Sequence, residues 1–323
     1  MAPFSFPTPV VSVIVPVYNA EPWLAELVGA LRQQTFTHWE CLLVDDGSTD
    51  SSARICRESA DADSRFRVLS QPNAGVSVAR NLGIAEARGE WLYFIDADDL
   101  PARNALERLM ETAERTDADI VTGGWTHCAD DLDNGDLHAS PELFESQKII
   151  TRSLYQHPDL ASVWGTLFSR RVFHPEGPRF TPGIRFEDLD FTYRAFERAS
   201  RVALLSDRLY FYRPNSSSFI NTMTPSRLDI LDVTDRIARY YKGTPVEKAA
   251  RSRRFSAYFG VLMLLMRTGY DAPAALQRCL AFIRQGRREA LTDPRVRFKN
   301  KTGALVSYLG SPVLRLLAKF YKS

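Results

Sequence analysis

Residues 91–99 read WLYFIDADD, five apolar residues that are followed at once by three aspartates around one alanine. A short apolar run of this kind predicts a buried strand, and the aspartates mark the point where the strand ends. The same arrangement occurs at residues 10–19, VVSVIVPVYN, and at residues 41–48, CLLVDDGS. Strands that end in polar or acidic residues are therefore the recurring unit of this part of the chain.

Segments with helical periodicity separate these strands. Apolar residues recur at helical spacing after Asn19 and over 76–87, and further short strands are predicted at 67–69 and 119–122. Pro101 is predicted to open the helix that follows the acidic strand end. This alternation predicts an α/β fold, with a mostly parallel sheet flanked by helices.

The polar strand ends are expected to meet at one edge of the sheet, where α/β proteins bind ligands. Clustered carboxylates repel one another, and a divalent cation with a polar ligand would relieve that repulsion. Asp96-x-Asp98 is thus a candidate Mg²⁺ or Mn²⁺ site. Taken alone, the pattern also fits a strand exit followed by a helix cap.

Charge is distributed unevenly along the 323 residues. Residues 225–323 hold 20 Lys+Arg and 7 Asp+Glu, a net charge of +13, whereas residues 1–224 hold 21 and 32, a net charge of −11. We predict one domain over 1–224 and a basic helical region over 225–323, with helices near 226–242, 246–268 and 273–288. Such a basic region favours phosphate, anionic lipid or nucleic acid as a partner.

Composition and run lengths exclude several protein classes. A chain that is 45% hydrophobic and 25% charged is neither disordered nor fibrous. The longest apolar run, 258–266, has nine residues, and a bilayer span needs about 20. No signal peptide is visible, and the four cysteines lack C-x-x-C spacing, which indicates buried free thiols and a cytoplasmic location.

Four stretches together resemble the family 2 glycosyltransferases, which are inverting, nucleotide-sugar-dependent enzymes with the GT-A fold. They are VSVIVPVYNAEPWL (11–24), LLVDDGSTDSS (42–52), NAGVSVARNLGIAEARGEWLYFIDADD (73–99) and FEDLDF (186–191). They occur in the order and at the spacings usual for the family. The resemblance is dense over residues 10–100, thins towards residue 215, and identifies 1–224 as the catalytic domain.

The resemblance implies a nucleotide-base pocket at the first two strand ends. Pro16 and Tyr18 line this pocket together with Asp45 and Asp46, and one of the two aspartates accepts a hydrogen bond from a uracil ring. The alternative for Tyr18 is an aromatic side chain packed in the core.

The resemblance also implies how the rest of the donor is held. Asp96 contacts the ribose, and Asp98 binds the Mg²⁺ or Mn²⁺ ion that bridges the diphosphate. Arg80 lies near the nucleotide, or else forms a surface ion pair. Arg213, in a Tyr-Arg…Ser element that includes Ser217-Ser218, meets the diphosphate.

Glu187 and Asp188 follow the metal motif by about 90 residues, where enzymes of this family carry their general base. Inversion requires a carboxylate on the face opposite the leaving diphosphate, to take the proton of the acceptor hydroxyl. Asp188 is predicted as that base, and Glu187 as the residue that orients it. The alternative is a pair of acids that favours the N-terminus of the helix after it.

Two departures from the family pattern bear on the function. Thr166 replaces the lysine of a W-x-K-L-F element, which puts any phosphate or acceptor contact from this position in doubt. The Q-x-x-R-W element of processive members is absent. We expect transfer of a single sugar from a nucleotide-sugar, taken as a UDP-sugar, to a glycan or lipid-linked glycan acceptor in cell-surface polysaccharide synthesis.

Alternatives stay open for both function and location. A sugar nucleotidyltransferase would carry a glycine-rich phosphate loop, which this sequence lacks, and a non-catalytic membrane-associated scaffold would keep the fold without turnover. Segment 312–323 is a basic amphipathic helix, which predicts either peripheral binding to an anionic surface, the inner face of the cell membrane, or docking on the protein body. No nucleic-acid partner is expected, since the basic residues belong to no recognisable nucleic-acid-binding module.

Overall fold

The computed structural model describes residues 8–132, 140–156, 160, 162–214 and 223–320. The chain divides into two compact units, of which unit 1 comprises Met1–Ile149, Asp159–Gly183 and Glu187–Pro214. Unit 2 comprises Ile150–Pro158, Ile184–Phe186 and Asn215–Ser323. Two short segments from the first two thirds of the chain thus belong to the mainly C-terminal unit.

Unit 1 contains a single mixed sheet. Its strands within the described residues are β1 (Val11–Val17), β2 (Trp39–Asp45), β3 (Phe66–Ser70), β4 (Trp91–Phe94), β5 (Leu100–Pro101), β6 (Ile120–Thr126), β7 (Glu142–Phe144), β8 (Thr166–Ser169) and β9 (Val202–Phe211). Their spatial order is β3-β2-β1-β4-β8-β6-β9-β5, with β7 paired to β9. β1 to β4 are parallel neighbours, which confirms the predicted parallel part of the sheet.

The other half of the sheet differs from a simple alternation of strands and helices. β8 runs antiparallel between β4 and β6, so the predicted strand near 119–122 is not adjacent to β4. β5 and β7 both pair antiparallel with β9. β5, β7 and β8 have two to four residues each, too few to show a pattern. β9 reads VALLSDRLYF and begins with a continuous apolar run, which the sequence interpretation missed.

Helices flank the sheet, as predicted. Those that begin before residue 200 are α1 (Glu21–Arg32), α2 (Ser52–Ala62), α3 (Val76–Glu86), α4 (Ala105–Thr116), α5 (Ser146–Leu154) and α6 (Glu187–Arg198). α1 turns Leu24, Leu27, Val28 and Leu31 into the core beside β2, which is fully buried, and β1, which is buried except at Pro16. The residues of α5 are divided between the units: those up to Ile149 belong to unit 1, and those from Ile150 belong to unit 2.

Two details of the sequence interpretation are wrong. Pro101 does not open a helix: it lies in the two-residue β5 opposite Tyr210, and α4 begins at Ala105. Proline is tolerated there because β5 ends the strand order, where one side of the strand needs no backbone donor. Of the four cysteines, all free, Cys128 is exposed whereas the other three are buried.

Unit 2 is helical in the part that the structure describes beyond residue 222. Its helices there are α7 (Asp229–Tyr240), α8 (Glu247–Thr268), α9 (Pro273–Thr292), α10 (Phe298–Val306) and α11 (Ser311–Phe320). α8 is the central helix, buried around most of its circumference, and α7, α9, α10 and α11 pack against it. No helix among the described residues combines the length and apolarity that crossing a bilayer requires.

The last helix has one buried set of apolar residues and one exposed set. α11 buries Leu314 and Ala318, while Leu316 and Phe320 are exposed. The face of α11 that packs on the rest of unit 2 is therefore not the face that carries its exposed apolar side chains. The final three residues of the segment 312–323 lie outside the described residues.

Candidate active site

The carboxyl ends of β1, β2 and β4 meet at one edge of the sheet in unit 1. β1 lies between the other two strands, with Val17 opposite Asp45 and Ile14 opposite Phe94. The polar residues that follow these strands are consequently neighbours, and the predicted convergence of three strand ends is found in the structure.

The loop after β2 is fastened to the loop that precedes α3. Asp46 accepts hydrogen bonds from the Gln71 side-chain amide at 2.7 Å and from the backbone N–H groups of Ala74 and Gly75 at 2.9 and 2.8 Å. Gly47 has a φ of 72°, and a Cβ there would approach a backbone nitrogen of the other loop to 2.8 Å. Asp46 thus engages its carboxylate in holding the two loops together.

Asp45, by contrast, keeps one carboxylate oxygen available. Its Oδ1 accepts the backbone N–H of Ser48 at 3.1 Å, and no hydrogen bond to Oδ2 occurs within the described residues. Tyr18 is 52% exposed, which excludes the alternative of a core-packed aromatic. Pro16 is half-buried in β1. Of the two aspartates predicted at the base pocket, Asp45 is the one with a spare acceptor.

Arg80 is the centre of the site. Its side chain, on α3, is 3% exposed and donates to Asp96 at 2.8 Å through Nη2, and to Glu187 at 3.0 Å and Asp188 at 2.7 Å through Nη1. The guanidinium carbon also lies 5.2 Å from the ring centre of Phe180. The alternative of a surface ion pair is therefore wrong, because Arg80 is buried and joins β4 to the start of α6.

Burial and charge set the protonation of this cluster. Burial raises the pKa of Asp188 to about 7, an effect that the charge of Arg80 only partly offsets and that Glu187 and Asp96 reinforce. Burial lowers the pKa of Arg80, but the three carboxylates, Asp188 foremost, outweigh it and raise that pKa well above its ordinary value. Arg80 remains a cation, while Asp188 titrates near neutral pH.

The acidic end of β4 is bound to the end of β9. The Tyr210 hydroxyl donates to Asp99 at 2.6 Å, the backbone N–H of Arg213 donates to the same carboxylate at 2.8 Å, and Arg213 Nε donates to the Asp98 carbonyl at 2.6 Å. Arg213 also pairs with Glu26 at 2.8 Å. Burial and the charge of Asp96 raise the pKa of Asp99 to about 8.

Asp98 is the carboxylate best suited to a cation. Within the described residues its side chain forms no ion pair, and burial followed by the charge of Asp96 raises its pKa. No group of three or more His, Cys, Asp or Glu side chains is arranged to hold a metal ion in the described part of the chain. A single carboxylate fits Mg²⁺ or Mn²⁺ when water and substrate phosphates complete the coordination.

An aromatic cluster lies beside the acidic end of β4, and sequence reasoning missed most of it. Trp164 stacks on Tyr210 and Tyr212 with ring centres 4.6 and 5.2 Å apart, and the Trp125 ring meets it edge-on at 6.1 Å. The Nδ1–H group of His127 donates to the Tyr212 carbonyl at 2.8 Å. Only the strand pairing of β6, β8 and β9 brings these rings together, so no local pattern could reveal them.

Two positions of the later motifs have different outcomes. Thr166 is buried in β8 and its hydroxyl donates to Thr122 at 3.0 Å, which supports the doubt about a phosphate or acceptor contact there. Ser217-Ser218 lies outside the described residues.

Comparison with known proteins adds evidence of relationship. The model of the family described as Glycosyl transferase family 2 matches residues 12–175. The uncharacterized glycosyltransferase EpsJ of Bacillus subtilis is 37% identical over 219 residues, 65% of this chain and 62% of that protein. Glycosyltransferase GlyG of Streptococcus pneumoniae is 33% identical over 66% of this chain and 73% of its own. The match to EpsJ thus spans less than two thirds of that relative.

Solved structures share the fold at low sequence identity. Staphylococcus aureus TarS 1–349 in complex with UDP-GlcNAc has a TM-score of 0.67 and 18% identity, over 96% of this chain and 90% of that one. Mannosyltransferase PcManGT from Pyrobaculum calidifontis, in complex with GDP-Man and Mn²⁺, has a TM-score of 0.58 and 17% identity, over 98% of this chain and 88% of that one. The chain therefore has the predicted GT-A fold.

Replacing Arg80 tests the importance of its ion pairs. Arg80→Gln leaves three partly buried carboxylates without a cation, so we expect unfolding free energy to fall by about 3 kcal/mol at pH 7.5. The loss should shrink at pH 5, because the unpaired carboxylates of the variant bind protons more readily than those of the wild type. Urea denaturation at both pH values measures this.

The matched control is Arg54→Gln, which removes an exposed i,i+4 pair with Glu58. Its effect should stay within about 0.5 kcal/mol at both pH values. If Arg80→Gln lowers the free energy of unfolding equally at pH 7.5 and pH 5, Arg80 stabilises the protein through packing and not through its charge.

Proposed function

The chain belongs to glycosyl transferase family 2, and on this premise we propose that it transfers a sugar from a nucleotide-sugar to an acceptor hydroxyl with inversion. The observation that carries the proposal is the contact of one buried cation, Arg80, with both Asp96 and Asp188. Asp96 lies at the strand edge where α/β proteins bind ligands. Asp188 is a carboxylate whose pKa of about 7 suits a general base.

The donor in this proposal is a UDP-sugar held at the ends of β1, β2 and β4. Asp45 offers the spare carboxylate oxygen for the uracil N–H, and the exposed ring of Tyr18 lies at the same edge. Asp96 binds the ribose, and Arg213 supplies positive charge for the diphosphate beside Asp98. Support comes from the folds of similar structures, two of which are complexes of TarS with UDP-GlcNAc and with UDP.

Asp98 holds Mg²⁺ or Mn²⁺ in this proposal, because among the described residues it is the one carboxylate at the acidic end of β4 whose side chain forms neither an ion pair nor a hydrogen bond to another residue. When bound, the cation supplies positive charge that stabilises the negative charge developing on the departing diphosphate.

Asp188 performs the proton transfer. Its carboxylate accepts the proton of the acceptor hydroxyl while that oxygen forms its bond to the anomeric carbon. The bond between this carbon and the diphosphate oxygen breaks on the opposite face, and the configuration inverts. Arg80 and Glu187 act as positioning residues, since Arg80 Nη1 donates to both acidic side chains and fixes their separation.

The acceptor we propose is a glycan or lipid-linked glycan, and one sugar is added in each encounter. Family relatives include a putative teichuronic acid biosynthesis glycosyltransferase of Bacillus subtilis, 38% identical over 36% of this chain. We assign the protein to cell-surface polysaccharide synthesis in the cytoplasm, at the inner face of the membrane. The scaffold and nucleotidyltransferase alternatives differ from it in a measurable way, because neither transfers sugar to an acceptor.

Calorimetric titration with UDP, with and without Mn²⁺, tests the donor site. We expect binding that requires both the ion and Asp98, so Asp98→Ala should lose the Mn²⁺-dependent part of the affinity. Asp61→Ala, which removes an exposed carboxylate from α2, is the control and should bind as the wild type does. A UDP affinity that is the same with and without Mn²⁺, and the same in Asp98→Ala, would contradict the assignment of the metal to Asp98.

Asp188→Asn tests the base. The amide cannot take a proton, so we expect transfer from the UDP-sugar to fall by about 10²- to 10⁴-fold while UDP affinity is kept. In the wild type, kcat/KM should decline as pH drops below about 7, because the base must be deprotonated to act. Glu197→Gln, at the exposed end of α6, should change neither quantity. Near-normal transfer by Asp188→Asn would refute its role.

Membrane attachment is the remaining part of the proposal. Exposed apolar side chains are concentrated near the end of unit 2, namely Phe298, Leu305, Tyr308, Leu309, Leu316 and Phe320. Replacing Leu316 and Phe320 together by serine should lower co-sedimentation with phosphatidylglycerol vesicles several-fold, since these rings and methyl groups enter the interface. Leu143→Ser, an exposed leucine in unit 1, should have no effect. Equal sedimentation of all three proteins would favour docking alone.

A further inference from the structure

We propose that a basic cavity within unit 2 binds a phosphate group. The cavity has a volume of about 150 Å³, far more than one water molecule needs. Four of its lining side chains are cations, Arg227, Arg253, Arg267 and Lys299. No acidic residue lines it among the described residues, so its walls are complementary to an anion.

Arg253 is the strongest indication that this cavity is an anion site. Within the described residues its guanidinium forms no hydrogen bond or ion pair, and its electrostatic neighbours are the cations Arg297 and Arg227. Burial, followed by these two charges, lowers the pKa of Arg253 to about 10, so it stays protonated at neutral pH. Arg253 is half-buried, and a partly desolvated cation among other cations is costly unless an anion compensates it.

Two neighbouring arginines on α8, unlike Arg253, form ion pairs. Arg251 forms an ion pair with Glu289 at 2.5 Å, and Arg254 pairs with Asp235 at 2.6 Å. A second cavity in the same unit, of about 340 Å³, is lined by Glu247, Glu289 and Asp293 as well as by cations. Carboxylates therefore neutralise other arginines of unit 2, but within the described residues none of them pairs with Arg253.

The backbone of α8 gives the cavity its shape. Arg253, Gly260 and Arg267 are spaced seven residues apart, which places them on one face of the helix. A Cβ at Gly260 would find no atom within 4 Å, so the glycine leaves open space between the two arginines. Lys299 lies in the first turn of α10, where the positive end of the helix dipole adds to the same potential.

The remaining polar lining favours an anion as well. Among the described lining residues, Gln156 contributes the only side-chain carbonyl, and its Oε1 already accepts hydrogen bonds from Ser256 at 2.7 Å and Arg297 at 2.8 Å. Phosphate oxygens accept strong charge-assisted hydrogen bonds from guanidinium groups, often two at a time. The shared chemistry of the ligand is thus a phosphate group, carried either by a soluble molecule or by a lipid headgroup.

Inorganic phosphate is the first probe, titrated into the full chain by calorimetry and by thermal unfolding, at an ionic strength held constant with NaCl. We expect phosphate to bind and to raise the melting temperature. Arg253→Gln should weaken binding about tenfold or more yet melt higher than the wild type without phosphate, because it removes an uncompensated charge. A purely structural arginine would give the opposite sign.

Two further variants separate the cavity from general basicity. Gly260→Leu keeps every charge but fills the open space, so it should abolish phosphate binding while remaining folded. Arg284→Gln removes an exposed charge from α9 outside the lining and should bind phosphate as the wild type does. UDP titration should be unchanged in all three variants, which distinguishes this cavity from the donor site.

Vesicles distinguish the two sources of phosphate. Binding to phosphatidate-containing vesicles that is lost in Arg253→Gln and Gly260→Leu would assign a lipid headgroup, whereas phosphate binding in solution with vesicle binding unaffected would assign a soluble phosphate ester. The proposal is overturned if neither inorganic phosphate nor vesicles depend on Arg253, or if Arg284→Gln loses as much binding as Arg253→Gln.

Discussion

A buried guanidinium on α3 holds carboxylates that are far apart in the sequence. Asp96 lies 16 residues from Arg80, and Asp188 lies 108 residues from it, yet both accept its hydrogen bonds within 2.8 Å. Without this cation the acidic end of β4 and the start of α6 would repel each other. With it, they are held at fixed separation before any ligand arrives, as preorganised catalysis requires. The position of α6, and of the proposed base, thus depends on one charge.

The sequence predicts the parallel half of the sheet well, because each strand there contains a short apolar run that is followed by a polar residue. It also predicts that Asp45 and Asp96 approach each other, since parallel strands share an edge. It does not predict that Asp46 is engaged by loop backbone, nor that Arg80 is buried. Those facts depend on contacts between segments distant in the chain, which periodicity does not encode.

The same reasoning explains the errors. Pro101 resembles a helix start, but pairing with β9 overrides that local preference. The aromatic rings around Trp164 come from β6, β9 and the residues just after them, and Trp164 itself precedes β8, which has only four residues and shows no pattern. The sequence shows an excess of basic residues in the C-terminal region, but it does not show which of them lack a carboxylate partner. Arg251 and Arg254 pair with carboxylates on other helices, whereas Arg253, on the same helix, does not among the described residues.

The ring stack at Trp164 gives the site an optical property of its own. The indole stacks on the rings of both Tyr210 and Tyr212, with interplanar angles of 21° and 10°, and the Tyr210 hydroxyl donates a hydrogen bond to Asp99. Rings held this rigidly in an asymmetric setting generate near-ultraviolet circular dichroism, which vanishes when fixed packing is lost. The protein therefore carries a native chromophore at its acidic edge, and ligand entry can be followed there without any attached label.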